Sequence, residues 1–128
     1  MNDVITDELL KKVCQIRKEI HACPETGNHE YYTADLIERV LKENGIETKR
    51  YLDTAVVGIL HLGKGGKTVA LRADIDALPV EEKTGCAYAS KNKGYMHACG
   101  HDVHTASLIG AAHALAHNKE QQKRKEKI

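Results

Sequence analysis

Three histidines and a cysteine fall within eight consecutive positions, His97-Ala98-Cys99-Gly100-His101-Asp102-Val103-His104. Imidazole nitrogen and thiolate sulfur are the donors that borderline divalent ions such as zinc select. Gly100 lies between Cys99 and His101 and frees the backbone to turn, so that both neighbours can face one ion. Packing gives no reason for such a density of donors. The segment reads as the metal-binding part of a hydrolytic enzyme.

A second stretch, Leu71-Arg72-Ala73-Asp74-Ile75-Asp76-Ala77-Leu78-Pro79-Val80, carries acids where a strand should end. Clefts of α/β proteins form at the carboxyl edge of the sheet. Asp74 and Asp76 share a face of an extended chain, so one of them could bond a ligand histidine or help hold an ion. A cap or turn pair is the equally weighted alternative. For Arg72, pairing with Asp74 or Asp76 is favoured over contact with a substrate carboxylate.

The elements that must position these groups follow from periodicity. Thr6 reads as a helix cap with Asp7 and Glu8 in the first turn, and Leu9, Val13, Ile16 and Ile20 recur at helical spacing until Pro24. A second helix begins near Glu30, carries Ile37, Val40 and Leu41 on one face, and stops at Asn44-Gly45. Strands are expected over Ile46 to Leu52, Ala55 to Leu62 and Lys67 to Leu71, the last one buried after a hairpin turn at Gly63-Lys64-Gly65-Gly66. A long irregular stretch then leads to a helix over about His101 to His117, with Val103, Ile109, Ala112 and Ala116 inward and His113 and His117 in solvent. Cys14 reads as a small core residue.

The chain has 128 residues, enough for one core, and 41% of them are apolar, with no phenylalanine or tryptophan. A net charge of +1 gives no reason to expect nucleic acid or an anionic membrane as a partner. The acidic start lacks a basic leader region, and no apolar run approaches bilayer length. A cytoplasmic protein with four reduced cysteines is therefore expected.

The runs Ala70 to Gly85 and Met96 to Ala106, taken together, resemble the amidohydrolase branch of the dinuclear-metal aminopeptidase-like peptidases. That branch includes hippurate hydrolases, N-acyl-amino-acid deacylases and auxin-conjugate hydrolases. The likeness continues upstream through Arg17, His21, Pro24-Glu25, Glu30 and Thr33, covering about residues 9 to 117. The resemblance implies an α/β fold, a three-layer α/β/α catalytic domain of which this chain holds only the N-terminal part. It implies two divalent ions, zinc or manganese, with Cys99 and His101 as ligands. Asp76 matches the aspartate that orients a ligand or the general base, and Asp74 replaces a histidine of the peptidases. Asp74, His104, Arg72 and His97 stand beside the ligands or on the substrate side. The implied reaction is hydrolysis of the amide of an N-acyl amino acid, by a water that the ions activate.

Two departures shape the expectation. The family commonly has histidine where Cys23 stands in His21-Ala22-Cys23-Pro24-Glu25. The family's later Glu-Glu pair, which supplies the base and a ligand, has no counterpart here. Residues 1–117 are thus expected to be part of a metallo-amidohydrolase domain and 118–128 a charged tail, solvated or disordered. Little or no activity is expected of the chain alone. A non-catalytic metal-binding or structural remnant is the alternative, with self-association through an exposed sheet edge.

Overall fold

The computed structural model describes residues 4–126, with side chains described through 119. Its elements are α1 (Asp7–Ala22), α2 (Tyr31–Glu43), β1 (Glu47–Tyr51), β2 (Ala55–Ile59) and α3 (His101–Glu126).

The local signals account for most of these elements. The Leu9 amide donates to Thr6 Oγ1 at 3.1 Å, which caps α1, and the helix ends two residues before Pro24. For α2 the cap comes from outside. Glu30 makes no side-chain bond at the N-cap, and the Glu25 carboxylate instead accepts from the Tyr32 and Thr33 amides, both at 2.8 Å. A carboxylate placed there also suits the positive end of the helix dipole. The helix stops at Asn44 and at Gly45, whose φ is 71°.

β1 and β2 form an antiparallel pair with Lys49 opposite Val57. The core lies between this pair and the helices: Ile16 and Ile20 of α1, Leu36, Ile37, Val40 and Leu41 of α2, Ile46 before β1, and Ala106, Ile109 and Ala116 of α3. Gly110 lets α3 approach α1 closely, since a Cβ there would stand 2.7 Å from Val13 Cγ2.

Several expectations fail here, each for a physical reason. Lys67 to Leu71 is neither strand nor buried; Val69 is 80% exposed. An extended run needs a ladder partner for its amides, and among the described residues β2 pairs only with β1. Leu62 and Leu71 are exposed as well. Val103 is exposed, not inward, because it lies six positions before Ile109, about 240° round the helix. Cys14 is exposed as well, being on the opposite side of α1 from Leu9 and Ile16. The third helix continues well past His117, to Glu126. Lysine, glutamine and glutamate, which fill that extension, are strong helix formers and need no apolar face to continue a helix already begun.

Candidate metal centre

Two short ladders bring the chemistry-bearing stretches together. Leu78 and Met96 exchange both main-chain bonds at 3.0 Å, which holds the segment after Asp76 beside the segment before Cys99. The Ala77 amide donates to the Glu25 carbonyl at 2.7 Å, tying the same segment to the loop after α1. Gly100 adopts a φ of 84°, and its carbonyl accepts from the Val103 and His104 amides. The left-handed turn that glycine allows thus starts α3 and separates Cys99 from His101.

His101 is held by Asp76. Its Nδ1 lies 3.0 Å from the Asp76 carbonyl and 2.9 Å from Asp76 Oδ1, two acceptors, so Nδ1 carries the hydrogen and donates it. Nε2 is then the lone-pair nitrogen. A carboxylate that fixes the tautomer and aims the other nitrogen is the usual companion of a metal-binding histidine. Cys99 is exposed and free, as are the other three cysteines in bonding terms. The donor set therefore fits a borderline divalent ion: an oriented imidazole nitrogen and an accessible sulfur one glycine apart. Among the described residues, no third histidine, cysteine or carboxylate converges with this pair.

The other residues singled out have less direct places. Asp74 splits its roles, its carbonyl accepting from Thr105 Oγ1 at 3.0 Å and its carboxylate pairing with Arg72 Nη2 at 2.6 Å. Arg72 is thus a carboxylate partner on the surface, with 86% of its side chain exposed. A hollow of about 280 Å³ beside these residues is lined by Glu30, Thr54, Arg72, Asp74 and Asp76. His104 is exposed, with its ring 6.1 Å from that of His101. His97, read from sequence as a substrate-side or site-shaping residue, is only 4% exposed, and neither ring nitrogen has a partner among the described residues. Its burial pushes its pKa down, favouring the neutral ring.

A buried ion-pair chain behind the centre was not anticipated. Asp102, 1% exposed, accepts on Oδ2 from Arg17 Nε at 2.9 Å and from His21 Nδ1 at 2.8 Å. His21 Nε2 faces Glu82 Oε1 at 3.0 Å. The Ser90 amide donates to the same Glu82 oxygen, and Arg17 Nη1 donates to the Tyr88 hydroxyl at 2.9 Å. Burial alone would raise the Asp102 pKa, but the His21 bond and the Arg17 charge outweigh it and hold the carboxyl below its ordinary range. Glu82 is likewise lowered: burial raises it, and the Thr84, Ser90 and Cys86 bonds together with His21 more than offset that. The chain fastens the first turn of α3, and with it His101, to α1 and to the loop around residue 82. Sequence proximity gives no hint of these bonds, although Arg17 and His21 lie in the stretch that carries the family likeness.

Comparison with known proteins places this geometry in a lineage. Residues 70–128 match the family described as Peptidase family M20/M25/M40. The chain is 50% identical over 121 residues to thermostable carboxypeptidase 1 of Saccharolobus solfataricus, covering 93% of this chain and 30% of that protein. It is 48% identical over 125 residues to the N-acetyl-L-cysteine deacetylase of Bacillus subtilis, covering 97% and 30% respectively. Among solved structures, a Bacillus subtilis dinuclear metal binding peptidase of the M20 family superposes with a TM-score of 0.86 at 40% identity, over 89% of this chain and 33% of that one. A putative aminohydrolase from methicillin-resistant Staphylococcus aureus gives 0.83 at 41% identity, over 94% and 33%. The chain spans about a third of the length of these relatives. The fold is α/β, and it is residues 70–128 that carry the match to peptidase family M20/M25/M40.

Proposed function

We propose that the complete enzyme of which this chain forms about a third hydrolyses the amide of N-acyl amino acids, using divalent ions held in part by Cys99 and His101. The observation that carries this reading is the pair of hydrogen bonds from His101 Nδ1 to Asp76, which leaves Nε2 as the free donor of a histidine two positions from Cys99. Relatives named N-acetyl-L-cysteine deacetylase, hippurate hydrolase and N-acyl-L-amino acid amidohydrolase support the substrate class. When bound, the ions, zinc or manganese, supply Lewis-acid polarisation of the amide carbonyl.

The chain's own residues do the positioning. Asp76 keeps the His101 ring in one tautomer and one orientation. Thr105 and His101 together hold the end of the Leu71–Asp76 segment against α3. Asp102, through Arg17 and His21, keeps the first turn of α3 in place. Asp74 pairs with Arg72 on the rim, and His104 and His97 stand beside the ligands without bonding them. The general base is assigned to the Glu-Glu pair that the family resemblance implies and that has no counterpart in this sequence. Losing a general base costs about two to four orders of magnitude in rate. Residues 1–117 are proposed as the catalytic-domain portion, and the charged tail expected over 118–128 runs as part of α3 to Glu126, its last residues lying outside the described ones. Self-association through the exposed edge of the β1–β2 pair is proposed for the isolated chain. No helix among the described residues is long and apolar enough to cross a membrane, and the cytoplasm is the proposed compartment.

The test is a chimera in which residues 1–117 replace the matching part of the Bacillus subtilis N-acetyl-L-cysteine deacetylase. It should hydrolyse N-acetyl amino acids when supplied with zinc or manganese, and Cys99→Ala should abolish turnover. The isolated chain should be inactive or nearly so. Full activity of the Cys99→Ala chimera would overturn the ligand assignment, and turnover by the isolated chain would overturn the division of labour.

A further inference from the structure

The ion-pair chain behind the proposed centre contains a second set of metal donors. His21, Glu82 and Cys86 each offer a ligand atom, and these atoms lie within 4.8 Å of one another. They are a nitrogen, an oxygen and a sulfur, a donor set suited to a zinc-type ion. The resolved separations lie close to what an ion needs, the sulfur–oxygen one inside the range and the nitrogen–oxygen one about 0.3 Å short of it. His21 Nε2 is 3.0 Å from Glu82 Oε1, and Cys86 Sγ is 3.6 Å from Glu82 Oε2. Ligands at about 2.0 to 2.3 Å around a tetrahedral ion stand roughly 3.3 to 3.7 Å apart.

The histidine is oriented in advance. His21 Nδ1 bonds the buried Asp102 carboxylate, which Arg17 holds from the other side, so Nε2 points at Glu82. A fixed carboxylate–histidine pair of this kind is how proteins aim an imidazole at a cation. The surrounding backbone is pinned too. The Lys91 amide donates to the Ala22 carbonyl at 2.9 Å, and Asn92 Nδ2 donates to the Pro24 carbonyl at 2.9 Å. These bonds hold the loop that carries Glu82 and Cys86 against the end of α1. The His21 and Glu82 side chains are 5% and 4% exposed, whereas Cys86 is half-buried and leaves a side from which an ion can enter.

We propose that His21, Glu82 and Cys86 bind a zinc-type divalent ion as a structural site, separate from the Cys99 and His101 pair. The ion takes the place of one hydrogen on His21 Nε2 and of the Cys86 thiol hydrogen, releasing two protons. It ties the loop to α1 beneath the start of α3. The site does not depend on the amidohydrolase reading, since it shares no ligand with that centre.

Cobalt(II) reports thiolate ligation by a sulfur-to-metal charge-transfer band. The experiment titrates cobalt into the chain carrying Cys99→Ser and His101→Ala, which removes the proposed catalytic ligands and leaves Cys14, Cys23 and Cys86. One equivalent should develop the band, and adding Cys86→Ser should remove it. Adding Cys86→Ser to the Cys99→Ser, His101→Ala chain should also weaken zinc binding at least tenfold and remove the zinc-induced rise in Tm. Because Cys86 is half-buried and bonds only locally, this substitution leaves the fold intact. A band that survives Cys86→Ser in the Cys99→Ser, His101→Ala chain, or no band before Cys86→Ser is added to it, overturns the proposal.

Discussion

Replacing Asp102 with alanine removes the acceptor shared by Arg17 and His21, and the structure fixes how costly that should be. The carboxylate is 1% exposed and takes bonds of 2.9 Å and 2.8 Å from two cationic or potentially cationic groups. Removing one partner of a buried ion pair typically costs about 3 to 5 kcal/mol, since the remaining charge stays desolvated. Arg17 softens that figure. Its side chain is 29% exposed and bonds Tyr88 as well, so it can turn toward water. His21 has no such escape, with 5% of its side chain exposed. A loss of about 3 kcal/mol follows, a large share of the roughly 5 to 15 kcal/mol that holds a small domain together. Breaking the exposed Arg39–Glu43 pair, 4.0 Å apart and more than half exposed on both sides, should cost no more than about 0.5 kcal/mol. Urea unfolding followed by circular dichroism compares the two. If Asp102→Ala and Glu43→Ala lower stability equally, the buried chain does not anchor α3 and the reasoning fails.

Three other substitutions probe different parts of the frame. Glu25→Ala removes the acceptor for the Tyr32 and Thr33 amides and for Thr33 Oγ1, and should cost about 1 to 2 kcal/mol in urea unfolding, as loss of a helix cap does. Gly110→Ala gains about 1 kcal/mol of helix propensity but drives a methyl to 2.7 Å from Val13, whose branched side chain has one favoured rotamer in a helix. Overpacking at about 1 to 3 kcal/mol should win, giving a net loss near 1 kcal/mol that disappears when Val13→Ala is the background. His113 sits half-buried and stacked on His117 at 4.3 Å, and burial together with the His117 and Lys12 charges lowers its pKa. The unfolded chain therefore binds the His113 proton at a higher pH than the folded one. That share of stability is complete above about pH 6.5 and declines as the pH falls below it. His113→Gln should flatten the slope of stability just below about pH 6.5; an unchanged slope would remove His113 from the account.

How much of this was legible in the sequence depends on the range of the interactions. Thr6, the Leu9 to Ile20 periodicity and Asn44-Gly45 act within a turn or two, and α1 and α2 appear where those signals place them. His101 and Asp76 are also legible, because two short motifs each announce a donor or a carboxylate before any contact is known. Lys67 to Leu71 was misread because apolar content signals a strand but does not supply its partner. The burial of His97, with the His21 ring 6.4 Å away, is not legible in the sequence, because it comes from packing between elements far apart in the chain. Least visible was the Arg17–Asp102–His21–Glu82 chain. Its bonds join residues 61 to 85 positions apart, and no periodicity records which buried charges will meet. Arg17 and His21 could be noticed in the family-like stretch, but their partners could be assigned only in three dimensions.

The central claim is that Cys99 and the Asp76-oriented His101 grip the same divalent ion, and zinc affinity tests it most directly. The measurement uses the Cys86→Ser chain, with competition against a chromophoric chelator. Cys99→Ser and His101→Ala should each abolish binding. Asp76→Ala should weaken it only about tenfold, at the low end of what losing such a partner costs, because the Asp76 main-chain carbonyl still accepts from Nδ1 at 3.0 Å. Zinc bound equally well by all four chains would contradict the account.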